Sequence, residues 1–148
     1  MATSYADRGK SLEANFKKQC QALQSLAAFA FYRFPDAHSG SLQTVPADYQ
    51  TCWAGKLRLI ELKETATVGR LPYKNLGADQ NARLRLWGLA GAESFILIRE
   101  TKTEQYLVFA PEAFLDRSQG ASWFFKEMQP LFTSSDLKSA FNFIHQIP

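Results

Sequence analysis

The chain has 148 residues, enough for one domain (1–148) with a sizeable core. No apolar run reaches the ~20 residues that span a bilayer, MATSYADRGK lacks the apolar stretch of a secretory signal, and Cys20 and Cys52 form neither a disulfide framework nor a CxxC zinc pair, so the composition reads as a reduced, cytoplasmic protein with both thiols in the core. The net charge of +3, from 17 Lys+Arg against 14 Asp+Glu, admits a polyanionic partner where the basic groups cluster.

The spacing of Leu12, Phe16, Cys20, Leu23 and Ala27 predicts a helix over residues 9–28 with one apolar face. The aromatic run over 28–34 predicts a strand that Pro35 ends, followed by the loop chemistry of DAHSGSLQTVP. Residues 48–53 and 56–64 read as the arms of a hairpin turning at Ala54-Gly55. The second arm, KLRLIELKE, alternates as a half-buried strand does. TATVGRLPYKNLG reads as a loop. Residues 79–89 read as a helix with Ala82, Leu86 and Leu89 on its buried side, closed by Gly88 and Gly91. Residues 94–99 and 105–110 predict strands joined by the turn ETKTE, and helices are expected around 111–116 and 135–147. The order α-β-β-β-α-β-β-α predicts an α/β (α+β) fold, a mixed sheet flanked by helices.

Glu61 and Lys63 sit two apart on one strand and so share a face, and Asp48 lies on the arm across the hairpin. Unpaired buried charges cost several kcal/mol, so these groups pair with one another or hold a metal. Magnesium takes hard oxygen ligands, usually one or two carboxylates completed by water and phosphate. Asp48 and Glu61 suit that task, the Leu62 carbonyl supplies a third oxygen, and Lys63 then faces the attacking water or the scissile phosphate. A solvated cross-strand ion pair is the competing reading of Glu-x-Lys.

Arg70, Tyr73 and Lys74 follow the Glu-x-Lys strand and, with Arg83 on the next helix, form a candidate track for backbone phosphates; a solvated surface is the alternative. Gln80, near a helix start, can face the metal pocket and position a water; the alternative is that Asp79 simply caps that helix. Glu13 on the first helix can close the pocket over Lys63, or stand as a solvated helix charge. Asp36 opens a Ser/Gly loop and reads as turn chemistry, and His38 and His145 are too few and too far apart for a zinc or His-based nucleophile site. Trp53, Trp87, Trp123, Phe124 and Phe125 read as core or dimer interface rather than base-stacking groups, the first helix and Trp123-Phe124-Phe125 being candidate dimer surfaces.

RGKSLEANF, ADYQTCWAGKLRLIELKET, ADQNARLRLWGLAGAESFILI and QYLVFAPEAF, in that order, resemble the PD-(D/E)XK nuclease superfamily, and within it the RecU-type Holliday-junction resolvases. The resemblance implies a restriction-endonuclease-like fold and a Mg²⁺- or Mn²⁺-dependent endonuclease acting as a homodimer on branched DNA. It makes Asp48 and Glu61 metal ligands, Lys63 the catalytic lysine, Gln80 the helix glutamine beside the site and Glu13 the acid of the first helix. The chain departs from it in the short segment before Asp48, where the family carries a projecting stalk, and in lacking a second acid beside Asp48. A nuclease of restriction or DNA-end processing, and a non-catalytic DNA- or protein-binding module on the same fold, are the other functions these residues admit.

Overall fold

The computed structural model describes residues 5–35, 45–114 and 122–148. The four- and three-residue apolar spacing produces the first helix, α1 (Tyr5–Leu26), which buries Leu12, Phe16 and Cys20, while Ala27 lies exposed past its end. The aromatic run yields a shorter strand, β1 (Ala30–Arg33). β2 (Tyr49–Trp53) and β3 (Lys56–Thr65) form the hairpin, turning at Ala54 (φ 53°) and Gly55 (φ 77°). Two positive φ values make the mirror-image turn whose twist matches that of its strands.

Residues 66–77 hold more order than a loop. They contain β4 (Arg70–Pro72) and a single 3-10 turn at Tyr73–Asn75. Next come α2 (Ala78–Leu89), β5 (Glu93–Glu100) and β6 (Gln105–Phe109). The helix expected around 111–116 is a 3-10 turn over Pro111–Ala113; its last two positions lie outside the described residues. β7 (Ser122–Phe124), a 3-10 turn at Phe125–Glu127, β8 (Phe132–Ser134) and α3 (Leu137–His145) follow. The short strands β4, β7 and β8 have only three residues each, too few to show a period in the sequence.

Six strands form one sheet in the order β1-β2-β3-β5-β6-β8, and β4 pairs with β7 as a separate ribbon. β3 and β5 run parallel, joined by the crossover through α2; the other described pairs are antiparallel. Ile60 and Leu62 face α1 and α3, packing with Leu12, Phe16, Leu97 and Phe141. Leu59 turns to the opposite face, with Leu84, Ile96, Ile98 and Phe109. β3 is therefore a central strand covered on both sides, not the half-buried strand that alternation implies. Arg58, polar in an apolar run, is buried with it and is held by Glu93 (Nε–Oε2 3.2 Å) and the Trp53 carbonyl (3.3 Å).

α2 lies rotated from its expected orientation. Its inner residues are Asn81 and Leu84, while Leu86 (64 % exposed), Leu89 (88 %), Ala82 and Trp87 point outward. Asp79 is not the cap: Gly77 occupies that position and makes no side-chain cap bond. Gly91 ends the helix at φ 118°. Cys20 is buried but Cys52 is exposed. Trp123 and Phe125 are core residues, and the apolar face of α1 is spent on the sheet, so neither supplies the dimer surface expected of it; Phe124 alone of the aromatic trio is exposed.

Candidate active site

The hairpin register delivers the first two carboxylates. Tyr49 pairs with Ile60, and continuing the ladder by one residue sets Asp48 opposite Glu61. The Asp48 Oδ2 accepts the Leu62 amide hydrogen at 2.8 Å, which ties the residue before β2 to the middle of β3. Phe34 N donates to the Asp48 carbonyl at 2.9 Å, so β1 holds the same residue from its other side. Lys63, two residues beyond Glu61 on the same face, brings its Nζ to 3.7 Å from Glu61 Oε1. Gln80, in the first turn of α2, donates through Nε2 to Glu61 Oε2. Asp48, Glu61, Lys63 and Gln80 thus converge from β2, β3 and α2.

Glu61 is almost fully buried, and burial pushes its carboxyl well above the ordinary carboxylate range. The Asp48 carboxyl beside it pushes the same way, and Lys63 opposes both. Two adjacent carboxyls, one removed from water, form a site whose repulsion a divalent cation relieves. The donor set suits magnesium or manganese, which take hard oxygens from one or two carboxylates. Among the described residues no third His, Cys, Asp or Glu joins them.

Other expected site residues lie elsewhere or are otherwise engaged. Glu13 pairs with Arg33 on β1, rather than with Lys63. Arg83 donates through Nε to the Val45 carbonyl at 3.1 Å, fastening α2 to the segment before Asp48. Arg70 and Lys74 are exposed, and Tyr73 stacks on Trp123 with ring centroids 4.8 Å apart. Asp36 and His38 fall outside the described residues. His145 is fully buried, bonded to Thr51 and to the Phe141 carbonyl, and serves the core. Arg33, the partner of Glu13, and Asn81, a buried amide beside Gln80, belong to no motif of the sequence; the polar pair Gln80-Asn81 at the start of an inward-facing helix is the local signal for the second.

A six-stranded mixed sheet between α1/α3 and α2, with Glu-x-Lys on β3 and Asp48 just before the adjacent β2, is the restriction-endonuclease-like α+β fold. Among solved structures the chain is similar to Hjc, a Holliday junction resolvase from the archaeal hyperthermophile Archaeoglobus fulgidus, with a TM-score of 0.54 and 16 % identity over 82 % of this chain and 88 % of that one. At that identity the similarity speaks for the fold alone. No protein-family model matches the sequence, and no curated protein does.

Proposed function

We propose that the chain is a metal-dependent endonuclease that hydrolyses phosphodiesters in branched DNA, a Holliday-junction resolvase related to the RecU type. The observation that carries this reading is the convergence of Asp48, Glu61 and Lys63 around one buried carboxyl, with Gln80 bonded to it. The fold shared with a resolvase supports it.

In this reading Asp48, Glu61 and the Leu62 carbonyl hold Mg²⁺ or Mn²⁺. The ion, when bound, supplies Lewis-acid polarisation of the phosphate and acidifies water. Lys63 keeps its ammonium beside Glu61 and, with its side chain about one-fifth exposed, reaches the phosphate and offsets the charge that grows on its oxygens. Gln80 holds Glu61 in place and orients the nucleophilic water. Arg70, Tyr73 and Lys74 bind backbone phosphates and set register, while Arg83 steadies the segment that carries Asp48. Glu13, locked to Arg33, braces the β1 side of the same segment. Paired cuts across a four-way junction call for two sites, hence a homodimer, and we assign its contact to the exposed Ala82–Leu86–Leu89 face of α2.

The test is cleavage of a synthetic four-way junction, against duplex and single strand, with Mg²⁺ and with EDTA. The junction is expected to be cut preferentially, and only with metal. Lys63→Ala is expected to bind the junction and to lose at least ~100-fold in cutting rate. Wild-type cutting by that variant would sink the mechanism. Equal cutting of single strand would remove the junction preference and leave a nuclease.

A further inference from the structure

The outer strands carry a second pair of polar groups on the face that bears the carboxylates. Tyr32 pairs with Gln50 across β1 and β2, and Gln50 pairs with Leu59 across the hairpin. Leu59 and Glu61 lie two apart on β3, so Tyr32, Gln50 and Glu61 share one face of the sheet. The bond from Phe34 N to the Asp48 carbonyl continues the ladder, so Phe34, Asp48 and Glu61 form a row two residues, about 7 Å, from the row of Tyr32 and Gln50. α2 covers this face over β3 and β5, where Leu84 packs with Leu59 and Ile96. Tyr32 on the outer strand is 56 % exposed, and Gln50 beside it is half-buried. The Tyr32 ring stands edge-to-face against Phe34, with centroids 5.3 Å apart, which holds it at the rim of the carboxylate pair. Neither the Tyr32 hydroxyl nor the Gln50 amide has a hydrogen-bond partner among the described residues.

Two uncharged donors, a phenol and an amide, thus stand side by side one step along the sheet from the candidate metal site. In paired DNA the bases are stacked and hydrogen-bonded to each other, so a sheet face meets phosphates and sugars first, and Tyr and Gln side chains are among the ordinary donors to phosphate oxygens. The spacing of the two rows is of the order of one nucleotide step. A strand that seats one phosphate at Asp48, Glu61 and Lys63 and runs along β2 therefore brings its next phosphate over Tyr32 and Gln50. We infer that Tyr32 and Gln50 together hold the backbone phosphate adjacent to the scissile one and so set which bond lies over the carboxylates. The inference rests on the nuclease reading above and adds a substrate contact to it. The absence of charge at both positions has a physical reason. A lysine or arginine there would be drawn to Asp48 and Glu61, as Lys63 is to Glu61, whereas uncharged donors leave those oxygens to the ion.

The experiment first maps the bond that the wild type cuts in a synthetic four-way junction and in a duplex. The DNA that is cut is then remade with a single methylphosphonate, which is uncharged and has lost one phosphate oxygen, either immediately before or immediately after the cut phosphate. Binding is followed by fluorescence anisotropy with Lys63→Ala in Mg²⁺, by itself and combined with Tyr32→Phe/Gln50→Leu. One of the two methylphosphonates is expected to weaken binding about fivefold. With Tyr32→Phe/Gln50→Leu added, that penalty is expected to shrink below about twofold, the mark of a direct contact between the altered groups. Tyr32→Phe keeps the ring against Phe34, so by itself it carries the comparison if the combined variant fails to fold, and is expected to reduce the penalty by about half. If neither methylphosphonate weakens binding, or if the variants keep the full penalty, the adjacent phosphate is held by other groups and the inference falls while the nuclease stands. If the wild type cuts no DNA with Mg²⁺ or Mn²⁺, the nuclease reading falls and takes the inference with it.

Discussion

Glu61 is where chemistry and environment conflict most. A carboxyl with almost no exposure sits against a second carboxyl, and its compensation comes from Lys63 at 3.7 Å and the Gln80 amide. A fold selected for stability alone would place an apolar residue there, as it does at Leu59 on the same face. This predicts opposite effects of one substitution on stability and on activity. Asp48→Asn keeps an oxygen for the Leu62 amide and removes the charge that repels Glu61. Its melting temperature in EDTA is expected to rise by about 2–4 °C, and its cleavage to disappear. A fall in melting temperature would mean that the Leu62 bond to a charged acceptor outweighs the repulsion.

Among the elements, α2 teaches most about orientation. Residues on a helix turn by ~100° each, so Gln80 and Ala82 point about 200° apart. A helix that aims Gln80 at the carboxylates cannot also bury the Ala82–Leu86–Leu89 stripe. The chain resolves this in favour of the site: Asn81 and Leu84 go inward, and the stripe is left exposed. If that stripe is the dimer contact, the double substitution Leu86→Lys/Leu89→Lys is expected to shift the particle from dimer to monomer in sedimentation equilibrium, with the circular-dichroism spectrum unchanged. A monomeric wild type would dispose of the assignment. The hairpin supplies a second case. Ala54 occupies a left-handed conformation (φ 53°) in a turn that favours Asn at this position. Ala54→Asn is expected to stabilise the protein by about 0.5–1 kcal/mol, read as a higher urea midpoint at constant slope.

At the level of the whole molecule, pH acts through α3. The His145 Nδ1 donates to the Phe141 carbonyl and its Nε2 accepts from the Thr51 hydroxyl, each at 2.9 Å, so the ring is neutral as it fastens α3 to β2. Burial lowers its pKa from 6.5 to about 4, with Arg58 acting in the same sense. Between those values the unfolded chain binds a proton that the folded one refuses. His145 therefore contributes full stability above pH 6.5, loses it as pH falls, and has lost it all at about pH 4. The loss is about 3 kcal/mol. Urea unfolding at pH 7, 5.5 and 4.5 reads it directly, and His145→Gln is expected to flatten the profile. An equally steep profile in that variant would assign the acid sensitivity to other groups.

Much of the fold and of the candidate site was legible in residue order. α1, the hairpin with its Ala54-Gly55 turn, β5 and β6 follow from periodicity and turn chemistry, because each closes its own hydrogen bonds over a short stretch. Asp48 and Glu61 face each other because a tight turn sets register, so their proximity was already written into the hairpin. Other features were not legible locally. Which face of α2 packs, why Arg58 is buried, where Glu13 finds its partner, and the short strands β4, β7 and β8 depend on neighbours far away in the chain. An amphipathic pattern reports how much apolar surface an element carries, whereas its direction follows from the covering it receives. For α2 that covering is the β5 side of the sheet and the carboxylate pocket, so the local apolar stripe pointed the wrong way.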